Sequence, residues 1–381
     1  MGMKKICYIT TISLTLRVFV LESAKYIHEH TDWDITFVCN PDPEFEAMLP
    51  DYINFHPISM ERGISFAGIK AMLEMKKFFK EEKFDLIQYS TPNASLYAAM
   101  AGKAAKIPVR LYCQWGMAFV GFSGIKRKIF KAVEKYVCSN STWVEPDSKS
   151  NLNFSHAEGL YPENKGSVIW NGSACGIKLD KFEYDKKDGW RESKRQELGI
   201  PDDGFVFGFV GRITRDKGIN ELLEAYKRVL ADNPSAYLLF VGPSEVDATI
   251  IPELYQWAKS EKRVLFAGYT NTVEQYLSAM DCYVLPSYRE GFGMGVVEAE
   301  IMGVPVIVTK IPGPIDAMLP EKTGYVVEKK SVDQLEAAMR KMLVSDLDAL
   351  GQAGRTFAIE GFEQQEFFRQ VLEDRKKLLG L

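Results

Sequence analysis

Among the 381 residues, the richest chemistry lies in Pro286-Ser287-Tyr288-Arg289-Glu290-Gly291-Phe292-Gly293-Met294-Gly295-Val296-Val297-Glu298. Three glycines open a loop, and the apolar run after them predicts a buried helix over 296–302. Backbone N–H groups at a glycine-rich helix start form a site for anions and hydroxyls. Glu290 falls in the loop and Glu298 in the first turns of the helix, so two carboxylates can accept hydrogen bonds from different parts of one polyhydroxylated ligand. The plainer reading is that both acids favour the positive end of the helix dipole. That accounts for one acid and leaves the glycines unexplained. A second pattern is Phe207-Gly208-Phe209-Val210-Gly211-Arg212-Ile213-Thr214-Arg215-Asp216-Lys217-Gly218. It predicts a strand ending at Gly211, a short loop, and a helix starting near Gly218. Gly211 lets a ligand approach the backbone, and Arg212 and Lys217 add a planar fork and a mobile point charge, a combination suited to a diphosphate. A solvated basic loop capping a helix is the alternative.

Such loops need a frame that holds them side by side. Short apolar runs over 5–10, 35–39, 85–89, 109–113 and 142–145 read as buried strands, with helices over 16–30, 69–80, 96–106 and 125–138. The rhythm repeats with strands over 206–210, 236–241, 264–266, 282–285 and 304–308, and helices over 219–230, 253–259, 273–280, 296–302 and 332–344. Strands separated by helical crossovers imply parallel sheets covered on both faces. One sheet of ten or more strands would be unusual, so the expectation is an α/β chain of two doubly wound, Rossmann-like domains. The turn-rich Trp170-Asn171-Gly172-Ser173-Ala174-Cys175-Gly176 marks the boundary, giving domains over 1–175 and 176–362. Ligands of such sheets bind beyond the carboxyl ends of the strands, and two facing sheets are expected to leave an inter-domain cleft.

Composition excludes several classes. Hydrophobic residues make up 46% and charged residues 26%, as in folded globular chains and unlike disordered or fibrous ones. Mean hydropathy is -0.14, and no apolar stretch reaches the roughly 18 residues of a spanning helix. The start Met1-Gly2-Met3-Lys4-Lys5-Ile6 reads as the approach to a first strand, because it lacks a cleavage site and Arg17 cuts the apolar run short. Ile6 stands where a myristoylation signal needs Ser or Thr. Six cysteines are scattered without a CxxC pair, which fits a reducing cytoplasm. Residues 1–178 carry 21 Lys and Arg against 18 Asp and Glu, whereas residues 179–381 carry 26 against 33. The balance points away from nucleic acid. It leaves one local basic stretch, Lys126-Arg127-Lys128-Ile129-Phe130-Lys131.

The combination of Val210-Gly211-Arg212-x4-Lys217-Gly218, Pro286-Ser287, Glu290-x7-Glu298 and Gly303-Val304-Pro305-Val306-Ile307 resembles retaining glycosyltransferase family 4. The likeness is strongest over 205–330, and the segments 84–88 and 108–112 resemble the members that build bacterial surface polysaccharides and oligosaccharides. The resemblance implies a GT-B architecture and transfer of a sugar from a nucleotide-diphosphate sugar, with uridine as the favoured base. Anomeric configuration would be retained without an essential metal or other cofactor. It implies that Arg212 and Lys217 hold the donor diphosphate beside Gly211. Glu290 and the backbone of Gly291, Phe292, Gly293 and Met294 would hold the donor sugar, and Glu298 the ribose; Tyr269 would stand near the base. Glu290, Arg212 and Lys217 are the catalytic candidates. The acceptor, a glycan or polyprenyl-diphosphate-linked sugar, is expected on the first domain near Thr11, Trp115 and Gly116, onto which a last helix over about 363–381 returns. The expected setting is bacterial and cytoplasmic, at the inner face of the cell membrane if the basic stretch touches anionic lipid.

Departures from the family pattern fall mainly on the acceptor side. Trp115 stands where relatives often carry His, and the loop Thr10-Thr11-Ile12-Ser13 lacks the glycine many relatives have. Pro312-Gly313-Pro314-Ile315-Asp316 replaces a more usual Gly-Gly-x-x-Glu. A nucleotide-sugar epimerase and a non-catalytic nucleotide-sugar sensor remain as rival readings. A nicotinamide dehydrogenase does not, since no glycine occurs in 10–17. Asp32-Trp33-Asp34 and Asp346-Leu347-Asp348 match a metal-binding DxD pattern but read as surface acids. The plainer reading of the basic stretch is a surface helix whose Ile125, Ile129, Phe130 and Val133 side is buried.

Overall fold

Runs of buried aliphatic and aromatic residues become strands wherever turn residues bound them, and both faces of each sheet are covered. The computed structural model describes residues 3–61, 66–244 and 250–381. The chain forms two units, residues 1–176 with 364–381 and residues 177–363. The first unit holds six parallel strands: β1 (Lys5–Ile9), β2 (Asp34–Val38), β3 (Ile53–Phe55), β4 (Leu86–Tyr89), β5 (Val109–Gln114) and β6 (Trp143–Pro146). Their order across the sheet is β3-β2-β1-β4-β5-β6. Alternation along β1 divides the core: Ile6 and Tyr8 join one buried cluster, Cys7 and Ile9 the other.

The helix Gln364–Leu378 places Phe367, Phe368, Val371 and Leu372 in the same cluster as Ile6 and Tyr8. Its Arg375 is 1% exposed. The guanidinium donates to Glu145 through Nη1–Oε2 at 2.5 Å and Nη2–Oε1 at 3.0 Å, and Nε donates to Gln88 Oε1 at 3.2 Å. Burial opposes the Arg375 charge; Glu145 and Asp374 outweigh it and hold the pKa above its ordinary value.

The second unit repeats the plan with β7 (Phe205–Val210), β8 (Ala236–Val241), β9 (Val264–Gly268), β10 (Cys282–Leu285), β11 (Val306–Thr309) and β12 (Gly324–Val327), in the order β12-β11-β10-β7-β8-β9. Strand order reverses direction between β1 and β4 in one sheet and between β7 and β10 in the other. The carboxyl ends of β7 and β10 are where the two glycine-rich patterns begin.

Sequence periodicity misses the short strands β3 and β12. It also misses the helix Lys187–Leu198, which has no broad apolar stripe because ions anchor it. Arg191 and Arg195 meet the two oxygens of Asp281 at 2.5 and 2.6 Å. The helix expected over 16–30 is two helices, Ser13–Phe19 and Leu21–His30, broken at Val20 with φ -120 and ψ -39. A larger correction concerns Gly124–Asn140, the helix of the basic stretch. Its buried residues are Val137, Cys138 and Asn140, whereas Ile125, Ile129 and Phe130 are 77%, 55% and 38% exposed. Two of its cations, Arg127 and Lys131, pair with Glu158 at 2.8 and 2.6 Å. No described helix is long and apolar enough to cross a membrane.

Candidate functional site

In the second unit, glycine geometry brings the two loops together. After β7 the chain turns at Gly211 (φ +147) and runs through the short 3-10 turn Arg215–Lys217 to Gly218 (φ +73). A Cβ on Gly218 would lie 2.0 Å from the Pro286 carbonyl oxygen, so only glycine allows this turn to press on the exit of β10. Tyr288 N donates to Asp216 O at 2.8 Å and sews the loops together. Arg289 reaches Asp216 Oδ2 at 3.2 Å. Burial acts to raise the Asp216 pKa, but the Thr214 hydrogen bond and the charges of Arg289, Lys217 and Arg212 prevail and lower it.

Lys217 Nζ then lies 2.6 Å from Glu290 Oε1, with both side chains largely shielded from solvent. The same Glu290 oxygen accepts from the buried Ser287 hydroxyl at 2.6 Å, and Thr309 Oγ1 donates to Ser287 O at 2.5 Å. The helix Met294–Ile301 begins two residues earlier than its apolar run suggests and has Gly293 (φ +93) as its N-cap. The segment after β11 closes over this start. A Cβ on Gly313 would meet Gly291 O at 1.9 Å, and one on Gly293 would meet the Pro314 ring at 3.2 Å. Pro312-Gly313-Pro314 therefore shapes the glycine loop.

Glu298 sits half-buried on the same helix. Burial pushes its carboxyl up to about 7, with Lys181 pulling it down and Glu274 pushing it further up. Tyr283 in β10 is held protonated by burial, with the charges of Glu290 and Glu298 adding to the effect. Arg212 is exposed on the same loop as Lys217. Tyr269 is 74% exposed just past the end of β9, and its hydroxyl donates to Asn271 Oδ1 at 2.8 Å.

In the first unit, Trp115 and Gly116 follow β5 and line a cavity of about 220 Å³ with Phe19, Thr91, Tyr112 and Glu134. Thr11 is not among its lining residues. It holds Thr91 in place, with its N–H 3.0 Å and its hydroxyl 2.9 Å from Thr91 Oγ1. Thr91 needs that support, for its φ of +69 with ψ 142 is a conformation that side-chain-bearing residues rarely adopt. Glu134 is the member of this group that sequence reasoning passes over. Its signal is faint: it is the first carboxylate after Asp85.

The DxD candidates have structural roles. Asp34 opens β2 and accepts from Asn54 at 2.7 Å, and Asp346 caps the helix Leu347–Phe362 by accepting from Ala349 N at 3.0 Å. No group of three or more metal-ligating side chains occurs among the described residues.

The sequence matches two families, "Glycosyl transferases group 1" over residues 191–356 and "Glycosyl transferase 4-like" over residues 5–147. A Staphylococcus aureus capsular polysaccharide biosynthesis glycosyltransferase, CapM, is 30% identical over 83% of this chain and 83% of that protein. The Escherichia coli UDP-Gal:alpha-D-GlcNAc-diphosphoundecaprenol alpha-1,3-galactosyltransferase is 26% identical over 87% of this chain and 85% of that one. Among solved structures, Anabaena HepE in complex with UDP and glucose superposes with a TM-score of 0.77 at 19% identity, covering 98% of this chain and 100% of that one. A Rickettsia africae glycosyltransferase gives 0.77 at 18% identity, covering 100% and 99%.

Proposed function

The chain belongs to the group 1 glycosyl transferases, and from that premise we propose that it moves a sugar from a uridine-diphosphate sugar to a lipid-linked glycan during assembly of a bacterial surface polysaccharide. The observation that carries this reading is the Lys217–Glu290 pair at the glycine-rich start of the helix Met294–Ile301. An ammonium has three donors, so Lys217 can keep Glu290 and still meet a phosphate oxygen. Arg212 on the same loop supplies a second cation. The N–H groups after Gly291 complete a set of donors aimed where negative charge grows as the diphosphate leaves, which is the largest kind of catalytic term. Glu290 and Glu298 are the acceptors offered to sugar and ribose hydroxyls.

The diphosphate charge is met by these side chains and amides rather than by a metal, so chelation should leave turnover intact. Retention with front-side attack assisted by the leaving phosphate follows the family resemblance, and no protein nucleophile is assigned. The S. aureus and E. coli relatives are named for capsule assembly and for a diphosphoundecaprenol acceptor, and these names support the choice of pathway and acceptor class. The exposed Ile125, Ile129 and Phe130 beside Lys126 and Lys128 support peripheral contact with an anionic membrane.

The test is a thermal-shift screen of nucleotide sugars, since a ligand of the native state raises its stability, followed by calorimetry of UDP against Arg212→Ala. A UDP-sugar should stabilise the protein, and the variant should bind UDP more weakly. No stabilisation by any UDP-sugar, or unchanged affinity in the variant, would refute the donor assignment.

A further inference from the structure

The cavity of the first unit holds one carboxylate, Glu134, among its lining residues. Both hydrogen bonds Glu134 receives fall on one oxygen: Oε1 accepts from Tyr112 OH at 2.8 Å and from Gln114 Nε2 at 2.6 Å. Oε2 has no hydrogen bond among the described residues. The Gln114 amide is itself fixed, because its Oε1 accepts from the buried Ser155 hydroxyl at 2.8 Å. A chain of three side chains thus holds a half-buried carboxylate with one oxygen satisfied and the other unused.

We propose that Glu134 Oε2 binds a hydroxyl of the acceptor sugar, whose ring lies against Trp115 and Phe19. The inference rests on the glycosyl-transfer reading and adds the acceptor subsite to it. Position supports it: Thr91 and Pro92 follow β4, Trp115 and Gly116 follow β5, and ligands of such sheets sit beyond the carboxyl ends of the strands. Size supports it too. About 220 Å³ is below the ~300–1,000 Å³ of pockets for drug-sized ligands and suits a single ring.

The chemistry is complementary to a pyranose. The Trp115 and Phe19 rings, with centroids 5.4 Å apart, form an apolar wall for its C–H face. Trp115 brings only an N–H donor, and the Thr91 hydroxyl is engaged with Thr11. Thr15 adds a neutral hydroxyl to the lining, and Glu134, its one carboxylate, is the strongest acceptor there for an O–H. The unusual backbone at Thr91 in the same lining is the kind of local strain that collects at binding sites.

The experiment uses the full chain, with methyl α-glycosides of glucose, galactose and N-acetylglucosamine as probes, read by saturation-transfer NMR. UDP affinity is measured in parallel by calorimetry. At least one glycoside should bind the native protein. Glu134→Gln presents an N–H₂ group where an acceptor is needed, so that affinity should fall about tenfold or more while UDP binding stays unchanged. Monodeoxy forms of the bound glycoside give a readout without any variant. One deoxygenated position should lose a similar factor in the native protein and little in Glu134→Gln, the non-additivity expected of a direct contact. Equal glycoside binding in both proteins, no sensitivity to any deoxygenation, or no glycoside binding by the native protein would each overturn the assignment. Failure of UDP to bind would instead sink the glycosyl-transfer reading.

Discussion

Gly218 lies against Pro286 so closely that a single added carbon would sit 2.0 Å from the Pro286 carbonyl oxygen. This contact joins the turn that carries Lys217 to the loop that carries Glu290. Gly218→Ala meets both a clash and a left-handed backbone, φ +73. It should destabilise the second unit by on the order of 1–3 kcal/mol and weaken UDP binding. Urea unfolding and calorimetry measure the two effects; a variant that keeps both native values would contradict the account of this turn.

Glu290 and Lys217 should behave as a coupled pair. Glu290→Gln keeps the shape, yet removes the charge that Lys217 and Ser287 hold. A loss of about 100-fold or more in kcat is expected, the scale seen when one oriented group at a developing charge is removed, with a native thermal midpoint. In the double variant with Lys217→Met the two losses should fail to add. Strict additivity would mean that the ion pair has no part in turnover.

Burial sets a pH signature through Glu298. Its folded pKa of about 7 lies above the ordinary 4.5, so the fold favours the protonated carboxyl. The stabilisation is complete below pH 4.5 and is lost as pH rises towards 7, by at most about 3 kcal/mol. Glu298→Gln should flatten this slope in pH-dependent urea denaturation; an unchanged slope would assign it to other groups. Ribose hydroxyls donating to Glu298 would favour its ionised form. UDP-glucose, a diester without a proton near neutrality, should then bind more tightly as pH climbs through 7.

Arg375 and Glu145 predict an asymmetry. Arg375→Ala leaves a buried carboxylate without its cation and should cost about 3–5 kcal/mol. Replacing both by apolar residues of similar volume, Arg375→Met with Glu145→Leu, should cost clearly less. Chemical denaturation of the three proteins decides it, and equal losses would mean that the charge pairing contributes little.

The helix Gly124–Asn140 offers a membrane test. Its Lys126 and Lys128 are not in any ion pair among the described residues, unlike Arg127 and Lys131. The native chain should sediment with vesicles rich in anionic lipid more than with neutral ones. Lys126→Gln with Lys128→Gln should cut that binding by about 1 kcal/mol per charge. Equal sedimentation with both vesicle types would remove the membrane from the proposal.

The two glycine-rich loops are readable in the sequence because glycine and charge announce themselves there. Gly211, Gly218 and Gly293 stand where the backbone needs positive φ, and Arg212, Lys217, Glu290 and Glu298 follow at fixed intervals from strand ends. Ten strands are likewise marked by apolar runs. What hides is whatever depends on partners distant in the chain. β3 and β12 have three and four residues and are strands only because β2 and β11 pair with them. The helix Lys187–Leu198 is anchored by Asp281, about ninety residues away, and so shows no hydrophobic periodicity. Glu134 looks like an ordinary surface acid until Tyr112 and Gln114 are seen beside it. The exposed face of Gly124–Asn140 reads as buried because periodicity reveals an apolar side without saying what covers it.

The first unit is built from both ends of the chain, its last helix joined to β6 through Arg375 and Glu145. Domains generally fold in the order they leave the ribosome, yet here the earlier lobe cannot finish until the helix Gln364–Leu378 has been synthesised. Residues 1–176 must wait, with Glu145 lacking its guanidinium and Ile6 and Tyr8 lacking the Phe367 and Phe368 rings, while the whole second unit is synthesised. The nascent chain should therefore mature in reverse, with the later lobe locking first and the earlier one closing only when its own last helix docks.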